Sequence, residues 1–82
     1  MVTPESVKAG IEGGLACEHL EVIGDGQHFQ AVVVSAAFAG KSRVQRHQLV
    51  YAALGDRMRE EIHALSMQTL TPDEWRKAGS QP

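Results

Sequence analysis

The dipeptide Asp25-Gly26 separates two apolar runs, residues 20–23 and 29–35. Asp-Gly is favoured in tight hairpin turns because such turns need positive φ, which these residues tolerate. A turn this short forces the two runs to lie side by side as antiparallel strands. The sequence therefore predicts a β-hairpin in the first half of the chain, against which the remaining segments must pack.

A two-residue loop at Asp25-Gly26 also predicts a strand register. It places Val22 opposite Phe29 and Leu20 opposite Ala31, with these four side chains directed towards the core. A wider loop would change these pairs. Because successive side chains in a strand point to opposite faces, the other face is predicted to carry Glu21, Ile23, His28 and Gln30.

The first helix is predicted to begin at Thr3-Pro4. Threonine is a good N-cap, and proline is favoured at the first helical position. Apolar residues then recur every four positions, at Val7, Ile11 and Leu15. The glycines at positions 13 and 14 predict the end of this helix.

A second helix is predicted to begin at Ser42, because Gln45 three residues later completes a capping box. Gly55 is expected to end it, and residues 57–61 indicate a short further turn or helix. Its buried side is predicted to consist of Leu49, Val50, Ala53 and Leu54.

A third strand is predicted over residues 62–70, with Leu65 and Met67 on the same side as His63. A terminal helix follows at Thr71-Pro72, where Glu74 completes a second capping box. Leu70 and Trp75 occupy the positions of a hydrophobic staple, so Trp75 is interpreted as a clamp on this helix. Residues 77–82 are expected to fray.

The predicted order is helix, strand, strand, helix, short helix, strand and terminal helix. Three strands with helices packed on one face form a two-layer α+β sandwich. The helical connection before the third strand permits parallel pairing, so a mixed sheet is expected. The 82 residues suffice for one domain, residues 1–82.

Composition favours a globular protein of the cytoplasm. Apolar residues make up 43% of the chain and charged residues 22%, and no apolar run approaches the ~20 residues that span a bilayer. The N-terminus lacks the features of a signal peptide. The single cysteine, Cys17, excludes an internal disulfide and fits a reducing compartment.

The positive charge is concentrated in one segment. The formal net charge is −2, yet residues 26–55 contain Lys41, Arg43 and Arg46 and no acidic residue. These cations would suit a surface that contacts nucleic acid. The simpler alternative is a solvated helix face, because no aromatic stacking platform accompanies them and nucleic-acid binders are usually strongly basic overall.

His28 beside the predicted turn and His63 at the start of the third strand could each present an imidazole without disrupting the core. Two histidines make an incomplete metal site, so a partner would have to supply the remaining ligands. Cys17 and His19 would complete a four-ligand set only if all four converged. No nucleophile, base and orienting group can be assembled, so an enzyme is not expected.

Three segments in one order resemble the BolA family. They are Gly24-Asp25-Gly26-Gln27-His28-Phe29, the stretch from Phe38-Ala39-Gly40-Lys41-Ser42-Arg43-Val44 to Val50-Tyr51, and Ile62-His63-Ala64-Leu65-Ser66 with Thr71-Pro72-Asp73-Glu74-Trp75. The similarity is strongest to the short, IbaG-like bacterial branch. It implies a fold similar to class II KH domains, with the order α-β-β-α-α-β and a short C-terminal helix.

The resemblance also implies a function without catalysis. Family members bind monothiol glutaredoxins and share a [2Fe–2S] cluster to which glutaredoxin contributes a cysteine and a bound glutathione. The family's C-terminal histidine matches His63, and its hairpin-loop ligand matches His28. Some members are transcriptional regulators, which makes weak DNA binding by Lys41, Arg43 and Arg46 the alternative. A homodimer remains open.

Overall fold

The computed structural model describes residues 3–55 and 64–78. The predicted short helix at residues 57–61, His63 and the four C-terminal residues lie outside the described part. None of the described helices is long and apolar enough to cross a membrane. The described elements are α1 (Pro4–Gly14), β1 (His19–Gly24), β2 (His28–Val34), a 3₁₀ turn (Ala36–Phe38), α2 (Arg43–Leu54), β3 (Ala64–Leu70) and α3 (Pro72–Lys77).

The three strands form one mixed sheet in the order β1-β2-β3. β1 and β2 are antiparallel, whereas β2 and β3 are parallel. This confirms the predicted α+β class and the mixed sheet. One face of the sheet and helices α1 and α2 enclose the core, whose buried members are Val7, Ile11, Leu15, Leu20, Phe29, Ala31, Val33, Phe38, Val50 and Leu54.

Helix α3 contacts the opposite face of the sheet, at one end. Trp75 stacks on the ring of His19 with 4.6 Å between ring centroids. His19 precedes the core residue Leu20 in β1, so its side chain points away from the core. Val34, the partner of His19 in β2, has its side chain on this same outer face and is buried there. Trp75, which was predicted to act as a clamp on this helix, therefore packs against the face of the sheet that is turned away from α1 and α2.

All three predicted helix starts are confirmed by their capping bonds. The hydroxyl groups of Thr3, Ser42 and Thr71 each accept a hydrogen bond from the backbone N–H three residues later. In each helix the residue at that later position bonds back to the N–H of the capping residue. These reciprocal bonds satisfy backbone donors that the first helical turn leaves without partners.

The predicted hairpin register is wrong by two residues. Val22 pairs with Ala31 and Leu20 with Val33, because the turn is centred on Gly26-Gln27 and not on Asp25-Gly26. The Asp25 N–H donates to the carbonyl of His28 at 3.2 Å, which closes this loop. Gly26 has φ of 100°, a conformation that favours glycine. The error is an even number of residues, so the predicted core and outer faces remain correct.

The connector between β2 and α2 contributes a core side chain. The 3₁₀ turn buries Phe38 completely. Ser35 holds the turn, because its hydroxyl accepts from the Ala37 N–H at 3.1 Å and donates to the Ala16 carbonyl at 2.7 Å. The connector therefore joins the end of β2 to the end of α1.

Gly24 allows the backbone of β1 to lie close to His28 and Phe29 of β2. An added Cβ at this position would lie 2.7 Å from the carbonyl oxygen of His28 and would also overlap the ring of Phe29. Phe29 is buried, so its ring has no free space into which to move. By contrast, a Cβ at Gly13 near the end of α1 would meet nothing within 4 Å.

We expect Gly24→Ala to destabilise the protein by about 1–3 kcal/mol, the usual range for overpacking a core. Gly13→Ala is the matched control and should be neutral or stabilising by up to about 1 kcal/mol, because alanine is the better helix former. Urea unfolding followed by circular dichroism measures both variants. Equal stabilities for the two variants would contradict the close approach of Gly24 to Phe29.

Candidate functional site

His28 begins β2 at the tip of the hairpin, and its side chain is exposed. Its backbone N–H donates to the carboxylate of Asp25 at 2.9 Å. In the part of the chain that the structure describes, no hydrogen bond or ion pair involves the imidazole ring itself. The backbone of His28 is thus held in place, and none of the described residues occupies its ring nitrogens.

The Asp25 carboxylate organises this tip. It accepts hydrogen bonds from the N–H groups of His28 and Gln27, each at 2.9 Å. These two bonds lower the pKa of Asp25 below its ordinary value. The carboxylate is therefore charged at neutral pH and fixes the backbone on which His28 is mounted.

A recess of about 370 Å³ opens beside the imidazole on the outer face of the sheet. It is lined by Ile23, Gly24, Asp25, His28 and Gln30. Ile23, one of these residues, has a side chain that is 62% exposed. The tip therefore places an exposed imidazole beside one exposed apolar side chain.

His63, the other predicted ligand, lies outside the described residues. Its covalent neighbour Ala64 is the Cα partner of His28 in the β2–β3 ladder. The Ala64 N–H donates to the carbonyl of Gln27 at 3.2 Å. The structure therefore brings the hairpin tip against the start of β3, the segment that His63 immediately precedes.

The structure does not bring Cys17 and His19 together with His28 as metal ligands. Cys17 is half-buried, and its thiol donates to the Leu15 carbonyl at 3.4 Å. Burial, with a smaller contribution from Glu12, raises the pKa of this thiol. The His19 ring stacks on Trp75, and its Nε2 contacts the carboxylate of Glu21. Across residues 3–55 and 64–78, no three His, Cys, Asp or Glu side chains are placed to hold a metal ion.

A second concave surface, of about 420 Å³, lies between the start of α2, the second half of β3 and the start of α3. We name it the basic groove. Its lining residues are Lys41, Arg43, Arg46, His47, Met67, Gln68, Thr69, Leu70 and Glu74. The three cations singled out in the sequence therefore do share one surface.

Arg46 differs from the other two cations because its guanidinium is already bound within the protein. It donates to both carboxylate oxygens of Glu74, at 2.7 and 3.3 Å, and to the carbonyl of Thr69 at 3.2 Å. Its Nε donates to the Lys41 carbonyl at 3.0 Å. Arg46 thus ties α2 to β3 and α3, a role that the sequence did not reveal.

Lys41 and Arg43 remain exposed. No acidic side chain pairs with either of them within the described ranges. The charge that the basic groove can offer to a ligand therefore comes from these two residues, since Glu74 balances Arg46.

A family model described as BolA-like protein matches residues 3–74. The chain belongs to the BolA-like family. It is 46% identical over 81 residues to Protein BOLA2 of Arabidopsis thaliana, covering 93% of this chain and 86% of that protein. It is 37% identical over 70 residues to the acid stress protein IbaG of Escherichia coli, covering 84% of this chain and 83% of IbaG.

The solved structure of a BolA protein homologue from Coxiella burnetii is 48% identical and has a TM-score of 0.80, covering 93% of this chain and 99% of that chain. The predicted family and its fold are thereby confirmed. Another family member, the DNA-binding transcriptional regulator BolA of Haemophilus influenzae, is 43% identical over 53 residues. That match covers 65% of this chain and 52% of the regulator.

The bond between Arg46 and Glu74 predicts a defined pH dependence of stability. The Arg46 hydrogen bonds, together with the Thr71 N–H, lower the pKa of Glu74 from 4.5 to about 2. A carboxyl group with a lowered pKa stabilises the fold above its unfolded pKa and loses that contribution as pH falls. The Glu74 contribution should therefore be complete above pH 4.5 and disappear towards pH 2.

We expect Glu74→Gln to lower the melting temperature at pH 7. The difference from the unaltered protein should shrink as pH falls from 4.5 to 2. Thermal unfolding at closely spaced pH values measures this, with Glu18→Gln as a control on an exposed acid outside the groove. A difference that stays constant across this pH range would refute the assigned role of Glu74.

Proposed function

We propose that this protein is a non-enzymatic iron–sulfur adaptor of the cytoplasm, which binds a monothiol glutaredoxin and shares a glutathione-ligated [2Fe–2S] cluster with it. His63 and His28 would be its ligands to the cluster. The observation that carries the proposal is the exposed His28 imidazole, mounted on a fixed turn against the start of β3. Membership of the BolA-like family adds the expected partner and cofactor.

The hairpin tip has the chemistry that such a ligand requires. Imidazole can replace thiolate on an iron–sulfur cluster, and this replacement changes the cluster's reduction potential. The Asp25 bonds fix the backbone of His28, so little ordering is required when a cluster binds. The adjacent recess offers Ile23 as an apolar contact for the protein that brings the remaining ligands.

Cys17 is a poor competitor for the cluster. Its thiol is half-buried and its pKa is raised, whereas metal ligation requires the thiolate. The two proposed histidines therefore distinguish this protein's contribution from the cysteine and glutathione that glutaredoxin would supply. With such a cluster the protein would act in cluster trafficking or in iron and redox regulation, and it would catalyse no reaction itself.

We expect His63→Ala to abolish the heteromeric cluster spectrum and His28→Ala to weaken it. The measurement is visible absorption and circular dichroism of the protein mixed with a monothiol glutaredoxin, glutathione, iron and sulfide. His47→Ala, which alters a histidine of the basic groove, is the matched control and should leave the spectrum unchanged. An identical spectrum with all three variants would eliminate cluster ligation by His63 and His28.

The second candidate function is a nucleic-acid-binding regulator. Two observations favour it: the exposed cations Lys41 and Arg43, and the name of the Haemophilus influenzae relative. Arg46 was predicted to join them, but replacing it would break the bonds to Thr69 and Glu74. The informative variant is therefore Lys41→Glu combined with Arg43→Glu.

For this second function we expect DNA binding that weakens steeply with added salt, because each cation–phosphate contact releases counterions. The double charge reversal should reduce affinity at low salt by about tenfold or more. Fluorescence anisotropy with labelled duplex DNA measures both effects, and Lys8→Glu on α1 serves as a control outside the groove. No binding at low salt would exclude the regulator function.

A further inference from the structure

The basic groove follows the free edge of β3. Four consecutive residues of this strand line it, Met67 to Leu70. Side chains of consecutive strand residues point to opposite faces, so a groove that touches all four must lie along the strand's edge. β3 is the last strand of the described sheet, and only its other edge pairs with β2.

The hydrogen bonds of the sheet show which backbone groups face this edge. Ala64 donates to Gln27 and Leu70 accepts from Ser35, so the even-numbered residues of β3 bond to β2. In a parallel ladder, alternate residues direct their backbone groups to opposite edges. The N–H and C=O groups of Met67 and Thr69 therefore point into the groove.

One of these outward groups is already used, which confirms the assignment. The Thr69 carbonyl accepts a hydrogen bond from the Arg46 guanidinium. The N–H and C=O of Met67 and the N–H of Thr69 remain without a strand partner in the described sheet. Such groups are a ready template for the backbone of another extended segment.

We propose that the basic groove binds an extended acidic peptide segment of a partner protein, which adds to the sheet along Met67–Thr69. Lys41 and Arg43 at the start of α2 would pair with the acidic side chains of that segment. Neither cation has an acidic partner within the described chain, and Glu74 is neutralised by Arg46. The charge of the groove is therefore complementary to carboxylates.

The groove suits a peptide better than a nucleic acid. The backbone N–H groups of Met67 and Thr69 and the carbonyl of Met67 face the groove. Alternate strand residues such as these are roughly 7 Å apart, which matches the repeat of an extended peptide backbone. Its lining contains no Phe, Tyr or Trp on which a base could stack. The ring of Phe38, whose centroid lies 5.9 Å from the Arg46 guanidinium carbon, is completely buried and offers no surface for stacking.

The peptide site and the proposed cluster site are separate. His28 pairs with Ala64 at the start of β3, whereas Met67 lies three residues further on, roughly 10 Å along the strand. A segment in the groove therefore does not need the imidazole. This inference goes beyond the adaptor function and does not depend on it.

The test uses a fluorescein-labelled peptide of eight residues that alternate glutamate and valine, with both termini capped. Fluorescence anisotropy should show binding to the whole protein, and the combined Lys41→Glu and Arg43→Glu variant should lose affinity by about tenfold. His28→Ala should bind with unchanged affinity. A peptide with lysine in place of glutamate should not bind.

Amide hydrogen exchange measured by NMR locates the bound peptide. At saturation, exchange of the Met67 and Thr69 amides should slow by about tenfold or more, because both gain a hydrogen bond. The intervening Gln68 amide already bonds to β2 and serves as an internal control, so its exchange should not change.

Four results would overturn the proposal. The first is that the peptide fails to bind at low salt, and the second is that it binds without slowing amide exchange at Met67 and Thr69. The third is that a labelled single-stranded DNA of twelve nucleotides binds the groove and the peptide does not, which would assign the surface to nucleic acid. The fourth is that sedimentation shows a dimer in which these two amides are protected before peptide is added, which would assign the edge to a second copy of the chain.

Discussion

The parallel pairing of β2 with β3 positions both candidate functional surfaces of this protein. It brings the hairpin tip, with His28, against Ala64 at the start of β3. Among the described strands it also leaves the far edge of β3 unpaired, where the basic groove lies between β3, the start of α2 and the start of α3. Parallel strands cannot be joined by a short turn, so this pairing requires the long connection that contains α2. The connection that completes the topology thus also supplies the cations of the groove, Lys41 just before α2 and Arg43 in its first turn.

Local chemistry was sufficient to predict the described α-helices and strands, but not the 3₁₀ turn at Ala36–Phe38. The three helix starts depend on bonds between residues three positions apart, and such bonds can be recognised in a sequence. The alternation of apolar residues predicted the correct faces of β1 and β2. The register was missed because Asp25 stabilises the turn with its side chain, moving the loop centre to Gly26-Gln27. Sequence spacing alone does not reveal which residue of an Asp-Gly pair occupies the centre.

Contacts between distant segments were not predictable. Phe38 lies in a stretch with no helical or strand period, and its burial depends on Ser35 bonding to Ala16 across 19 residues. Arg46 was grouped with Lys41 and Arg43 because the three are close in sequence. Its actual partner, Glu74, is 28 residues away and belongs to a helix whose own capping uses the same carboxylate. The charge of a side chain can be read from a sequence, but its availability to a ligand cannot.

Glu74 therefore has two structural tasks that together define the basic groove. It caps α3 by accepting from the Thr71 N–H at 2.9 Å, and it holds Arg46 against the Thr69 carbonyl. With Arg46 bonded there, the Thr69 carbonyl is occupied, whereas the Thr69 N–H and both backbone groups of Met67 keep no strand partner in the described sheet. An edge strand left wholly open invites indiscriminate pairing with other chains. With one carbonyl occupied and cations beside the remaining groups, the edge would favour acidic segments, so the ion pair that joins α3 to α2 would also influence what the groove accepts.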